Sequence, residues 1–225
     1  MTDLLQFFMI RKFGVKMEIK ALPMGMIGAN CYMVTGERGA VLIDTGGYSP
    51  VLEQFLKENE DKERLILLTH AHFDHIGGAL RLRENMGVKI GIGEKEAPSL
   101  SDGELNLSNR FRVNLAPFSA DMTFADGEKI SVGDLEFTVI ETAGHTVGGV
   151  CYLIEDCLFS GDTLFYESIG RTDFVGGDIG VLNKSLLKLM GLKGDTVVFA
   201  GHGESTTIEH ERRYNPFIRG NYEAL

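Results

Sequence analysis

The sequence predicts an α/β (α+β) fold in which two sheets pack face to face and helices cover the outside. Three observations predict it. From Met17 onward, short β-like runs alternate with helical patterns, and no linker or low-complexity segment divides them. The alternation falls into two halves, each of strands followed by helices, as expected when two sheet-and-helix layers share one core. Leu65-Ile66-Leu67-Leu68 and the run from Thr196 to Ala200 are short and apolar, the mark of strands buried on both faces.

Each element has its own signal. Residues 17–22, 31–35 and 40–43 read as strands, with Gly36 to Gly39 as the turn between the last two. Ser49-Pro50 opens a helix, a side-chain cap followed by the proline that suits the first helical position. Its Val51, Leu52, Phe55 and Leu56 fall on one face. After the Leu65 to Leu68 strand, a second helix runs from Gly78 to about Met86, and Val88 to Ile92 is the next strand. Residues 94–120 lack clean periodicity and read as helix plus irregular loop. Beyond Asp126-Gly127, strands are expected near 129–132, 135–141, 150–155 and 157–160. Asp178 caps a helix whose Ile179, Leu182, Leu186 and Leu189 share a face. Thr196 to Ala200 is a last buried strand, and the tail from Thr207 is mostly polar and helical.

Composition narrows the function classes. The 225 residues read as a single domain, 1–225, and 44% hydrophobic against 24% charged content can bury a core and excludes disorder. Twenty-two basic against 32 acidic residues give a net charge of −10, which repels phosphate backbones and disfavours a nucleic-acid partner. Cys31, Cys151 and Cys157 form no CxxC pair, which fits a reducing compartment and buried hydrophobic roles. No stretch approaches 18 apolar residues, so no membrane span is expected. The apolar run from Leu4 to Ile10 fails as a signal peptide: Asp3 precedes it, Arg11 and Lys12 follow, and no small-residue cleavage site appears. A second methionine, Met17, sets residues 1–16 apart as an N-terminal extension, and the expected location is cytoplasmic.

The chemistry concentrates in Thr69-His70-Ala71-His72-Phe73-Asp74-His75, directly after a buried strand. Composition alone predicts roughly 2 × 10⁻⁴ such H-x-H-x-D-H strings in this chain. Imidazole and carboxylate suit zinc, iron or manganese. Alternate side chains on an extended loop point apart, so the spacing suggests two adjacent ions, one taking His70 and His72, the other Asp74 and His75. Each needs ligands from elsewhere. His145 and His202 each follow a strand beside glycines, and Asp162 ends a third strand. Singly, each of these three has an ordinary alternative as a turn or cap residue. His210 reads as a solvent-facing helix residue.

The order H-x-H-x-D-H, then His145, Asp162 and His202, resembles the metallo-β-lactamase superfamily over nearly the whole chain from Met17. The resemblance implies a four-layer αββα sandwich with two divalent metal ions at one edge, zinc first, with iron and manganese as alternatives. It implies His70, His72 and His145 as ligands of the first metal, Asp74, His75 and His202 as ligands of the second, and Asp162 as the bridge. It also implies that Asp44, in Ile43-Asp44-Thr45-Gly46, supports the ligands from behind, against the alternative of a turn cap.

The segments Gly161-Asp162-Thr163, Gly170-Arg171-Thr172-Asp173-Phe174 and Gly201-His202-Gly203-Glu204 resemble small single-domain hydrolases of the glyoxalase II type. That resemblance implies cleavage of a thioester, such as an S-2-hydroxyacylglutathione, through a metal-bridging hydroxide that Asp74 orients. A thiolate of parent pKa about 8.5 needs little protonation on leaving, so no dedicated general acid is required. The resemblance also implies Arg171 as the substrate-binding candidate, since it stands where full-length glyoxalase II carries a basic residue that binds glutathione, and a guanidinium can pair bidentately with the carboxylate glutathione supplies. Its alternative is an ion pair with Asp173 or Asp178. Tyr166 is another pocket candidate, with packing as its alternative. Only 23 residues follow His202, short of the helical C-terminal domain of full-length enzymes, and Asp173 stands about where those carry a glutathione-contacting tyrosine. The thiol carrier and the oligomeric state therefore stay open. The main rival is a mononuclear-iron persulfide dioxygenase holding its metal through His70, His145 and Asp162, against which Gly203 argues because that group tends to carry aspartate there. Another hydrolase such as a lactonase is a further alternative; a non-catalytic module would have lost a ligand.

Overall fold

The computed structural model describes residues 6–12, 15–25 and 27–222. In chain order the strands are β1 Gln6–Lys12, β2 Val15–Met24, β3 Ala29–Thr35, β4 Gly39–Ile43, β5 Glu63–Leu68, β6 Lys89–Gly93, β7 Met122–Phe124, β8 Lys129–Val132, β9 Leu135–Glu141, β10 Val150–Ile154, β11 Cys157–Gly161, β12 Leu164–Phe165, β13 Ser168–Ile169, β14 Val197–Ala200 and β15 Thr206–Thr207. The helices are α1 Pro50–Glu58, α2 Phe73–Ile76, α3 Ala79–Met86, α4 Ser108–Phe111, α5 Ile179–Leu189, α6 Ile208–Tyr214 and α7 Pro216–Tyr222, with a 3-10 turn at Ala97–Ser101.

Strands β1 to β7 form one sheet in sequence order, antiparallel through β4 and parallel from there to β7. The second sheet has the order β15-β14-β11-β10-β9-β8, and β12 and β13 make a separate hairpin. Strand alternation explains how the sheets stack. Val41, Ile43, Leu65 and Leu67 point inward to meet Phe137, Val139, Tyr152, Phe159 and Phe199 of the other sheet. Leu42, Ile66 and Leu68 point outward and pack under Leu52 and Leu56 of α1 and Leu82 of α3. On the far side Cys151, Leu158 and Val198 pack under Leu182 and Leu186 of α5, Ile208 of α6 and Ile218 of α7. Three cores between four layers follow, and the layers run helix, sheet, sheet, helix.

The caps act as the sequence predicts. The Ser49 hydroxyl accepts from Val51 N, and Asp178 accepts from Val181 N at 2.9 Å. All three cysteines are buried. Two helix faces need correction: Val51 is 43% and Ile179 51% exposed. Both lie in a first turn, where side chains lean toward the helix start and off the sheet. Residues 94–120 resolve into the 3-10 turn and the single turn of α4, and β7 follows. Of the segment read as an extension, Gln6–Lys12 pairs antiparallel with β2 at the edge of the first sheet, and residues 1–5, 13 and 14 lie outside the described residues. Among the described residues no helix is long and apolar enough to cross a membrane.

Candidate metal centre

Five strands end on one edge of the sandwich, and each delivers polar side chains there. Asp44 follows β4; His70, His72, Asp74 and His75 follow β5; His145 follows β9, Asp162 follows β11, and His202 follows β14. Convergence at carboxyl strand ends is where open α/β sheets place their ligands.

The predicted residues come together. His70, His72 and His145 offer ligand atoms within 4.8 Å of one another, and Asp74, His75 and His202 do the same. Asp162 stands between the two groups. Its Oδ1 lies 3.3 Å from His75 Nε2, and its Oδ2 lies 3.5 Å from His145 Nε2 and 3.6 Å from His202 Nε2. Asp74 Oδ2 is 3.3 Å from His202 Nε2 and 3.5 Å from His75 Nε2.

Ring orientation is set from behind. Nδ1 of His75 lies 2.8 Å from Asp44 Oδ2, that of His145 2.7 Å from the Arg171 carbonyl, that of His202 3.2 Å from the Ile27 carbonyl, and that of His70 3.0 Å from Thr69 Oγ1. Holding Nδ1 leaves Nε2 of each ring as its remaining ligand atom. Asp44 is the hub of this support: it also accepts from Thr69 N and Thr69 Oγ1, both at 2.8 Å. It does so in the left-handed region at φ 54°, where aspartate is one of the few residues at ease.

Burial and charge then divide the imidazoles. Burial pushes His70 well below the usual histidine range, and burial together with neighbouring His145 takes His72 down to about 3. Both rings are therefore neutral near pH 7, the form that binds metal. Burial acts against a charged His75 as well, yet Asp162, Asp44 and Asp74 hold its pKa well above normal. For Asp162 burial is likewise outweighed, by His75 and then His145, and its carboxyl stays well below the usual carboxylate range. Buried side-chain atoms without a hydrogen-bond partner include His70 Nε2, His72 Nε2 and Asp162 Oδ1. Buried polar atoms are nearly always partnered, so orphans of this chemistry in one cluster fit divalent metal ligands.

Two polar residues that periodicity does not reveal hold the loops. Asn30, at the start of β3, donates through Nδ2 to the carbonyls of Ala200 and Gly203 at 3.0 and 3.1 Å, and Tyr32 O–H donates to Ala200 O at 2.5 Å. Glu96, after β6, accepts from Ala71 N and Gly148 N. Gly201 fills a place no side chain could take: a Cβ there would lie 2.1 Å from Asp162 Oδ1 and 2.9 Å from His75 Cε1.

A cavity of about 410 Å³ opens over the cluster. His72, Asp74, His145, Asp162 and His202 face it, and Phe73, Phe111, Phe165 and Phe174 supply much of its wall. Arg171 also lines it, but the guanidinium makes a two-pronged contact with Asp173, Nε to Oδ1 and NH2 to Oδ2, both 2.7 Å. It lies 3.9 Å above the Phe174 ring. The ion-pair alternative for Arg171 is thus present, with Asp173 as the partner. Tyr166 is outside the cavity, stacked on His210. His210 is not turned freely to solvent as expected: Nε2 lies 3.0 Å from Glu167, and Tyr214 packs on its other side.

Comparison with known proteins agrees with this arrangement. The profile of the metallo-beta-lactamase superfamily matches residues 24–202. Similar chains include the probable metallo-hydrolase YqgX of Bacillus subtilis, 35% identical over 91% of this chain and 99% of its own. The hydroxyacylglutathione hydrolase GloC of Haemophilus influenzae is 35% identical over 90% of this chain and 98% of its own. Among solved structures, the BLEG-1 B3 metallo-beta-lactamase superimposes with a TM-score of 0.82 at 39% identity, covering 89% of this chain and 99% of that one. TTHA1623 in a di-iron-bound form gives 0.77 at 32%, covering 88% and 98%. ETHE1 from Myxococcus xanthus gives 0.73 at 29%, covering 90% and 84%. The sandwich, the histidine and aspartate cluster at its edge and the match over residues 24–202 lead to one conclusion: this chain belongs to the metallo-beta-lactamase superfamily.

Proposed function

We infer that this chain is a binuclear metal-dependent hydrolase of thioesters, of which S-2-hydroxyacylglutathiones are the leading class. The observation that supports the reading is the Asp162 carboxylate set between two groups of side chains that could each hold a metal ion. His70, His72 and His145 would hold one cation, Asp74, His75 and His202 the other, and Asp162 would touch both. Divalent cations held there, zinc first, lower the pKa of coordinated water and polarise an acyl carbonyl.

The remaining work belongs to side chains. Burial opposes ionisation of Asp74, but His75 and His202 keep its carboxyl below the usual range. It is a carboxylate near neutral pH and can accept the proton-bearing side of an attacking water, fixing its direction. The aromatic side chains offer the acyl group an apolar wall. Among the described residues the lining includes no lysine, tyrosine or cysteine to act as a general acid, which suits a leaving thiolate and disfavours amides. The 35% identity to a hydroxyacylglutathione hydrolase over 90% of this chain supports the carrier. For glutathione to reach Arg171, its carboxylate must compete with Asp173. The net charge of −10 speaks for small-molecule rather than nucleic-acid partners, and the three free, buried cysteines fit work in the reducing cytoplasm.

Loss of the S-D-lactoylglutathione thioester by metal-loaded protein tests the reading. Turnover of about 1 s⁻¹ or more is expected, within the usual enzyme range. No turnover with metal bound, accompanied by oxygen consumption on glutathione persulfide, would replace it with the dioxygenase.

A further inference from the structure

Glu96 lies on the turn after β6, outside both ligand groups, and is 1% exposed. Its backbone is fixed by N–H donation to the Gly93 carbonyl and by acceptance from Ser99 N. The two carboxylate oxygens serve different segments. Oε1 accepts from Ala71 N at 3.0 Å, and Ala71 is the residue between His70 and His72. Oε2 accepts from Gly148 N at 2.8 Å, in the turn that carries His145. That turn is closed on itself by Gly144 N to Thr146 O and Thr142 N to Gly149 O, at 2.8 and 2.9 Å. It also presses directly on the Glu96 strand end: a Cβ at Gly148 would lie 2.5 Å from Glu96 N and 2.5 Å from Lys95 C. One carboxylate therefore spans the two segments that carry His70, His72 and His145. Among the described residues no hydrogen bond joins it to Asp74, His75 or His202.

We propose that Glu96 is the positioning residue of the first metal group, setting the distance between the His70–His72 loop and the His145 turn by accepting one backbone N–H from each. The role rests on the reading that the two groups bind metals. Both oxygens act as acceptors, which an amide cannot reproduce: in Glu96→Gln the new NH2 faces an N–H donor, and one segment loses its anchor. The side chain keeps its size, so packing is unchanged.

The test uses zinc itself, titrated into metal-free full-length protein against a chromophoric chelator, together with the histidine ring signals of the metal-free protein by NMR. Glu96→Gln is expected to weaken one of the two zinc sites by about tenfold or more and leave the other within about threefold. Ring signals of His70, His72 and His145 should move, while those of His75 and His202 hold. If Glu96→Gln does not accumulate folded, Glu96→Asp carries the test; it keeps both acceptors one methylene short and should show the same selective loss in smaller measure. Equal weakening of both sites, or no weakening, overturns the proposal, as do ring shifts spread over all five histidines. A wild type that binds no zinc would instead sink the metal reading, and the ring signals would still decide the role of Glu96.

Discussion

Asp44→Asn isolates how the centre is aimed. In the wild type Asp44 Oδ1 accepts from Thr69 N, and Oδ2 accepts from Thr69 Oγ1 and holds His75 Nδ1, each at 2.8 Å. Asparagine keeps the shape and tolerates the left-handed φ of 54°, so backbone strain does not confuse the result. Its Oδ1 can still serve Thr69 N, but an NH2 replaces Oδ2. The Thr69 hydroxyl can rotate to accept from that NH2. His75 cannot: its Nδ1 must become an acceptor, and the ring proton moves to Nε2, the atom that faces Asp162, Asp74 and His202. A protonated Nε2 is no metal ligand. A hydrogen bond to a charged group is worth about 1.5–3 kcal/mol, and 1.4 kcal/mol is about tenfold in affinity. Zinc affinity at the Asp74–His75–His202 group should therefore fall about 10- to 100-fold, in line with other losses of a ligand's outer partner. Chelator competition on protein shown folded by circular dichroism measures it. Affinity within about twofold of wild type would refute the tautomer argument.

Four further substitutions probe the same edge. Asp162→Ala removes the one carboxylate shared by both groups and is expected to lower metal content and turnover together, turnover by about 10³-fold; full activity would contradict the binuclear scheme. Gly201→Ala forces a methyl into Asp162 and should cost about 1–3 kcal/mol of stability along with metal affinity, read by thermal unfolding and zinc titration. Asp173→Asn frees the Arg171 fork and should lower KM for a glutathione thioester a few-fold, whereas Arg171→Ala should raise it. Both side chains are more than half exposed, so the unfolding midpoint should hardly move, and KM unchanged in both variants would leave the pair as surface structure.

Most of the layered fold was legible because it rests on short-range patterns. The alternation in β4 and β5 assigns Val41 and Leu65 to one core and Leu42 and Ile66 to another, and the caps at Ser49 and Asp178 are local chemistry. The candidate ligands could be picked out because His70 to His75 form a dense string and the others follow strands next to glycine or end one. What was hidden is long-range. Asn30 meets the 200–203 turn across 170 residues or more of sequence, and nothing in β3 except one polar residue at its start marks it. Glu96 looks like any glutamate of an aperiodic stretch, since its burial is made by segments 25 and 52 residues away. The pairing of Arg171 with Asp173 was visible only as one of two options, because side-chain direction in an irregular loop has no period to read it from.

The count of zinc ions bound per chain, measured by mass spectrometry of dialysed, zinc-saturated protein, tests the central claim most directly. Two per chain in the wild type, falling below two in Asp162→Ala, is the result this arrangement of His70, His72, His145, Asp74, His75 and His202 predicts. One ion or none, with the protein folded and saturated, would contradict it.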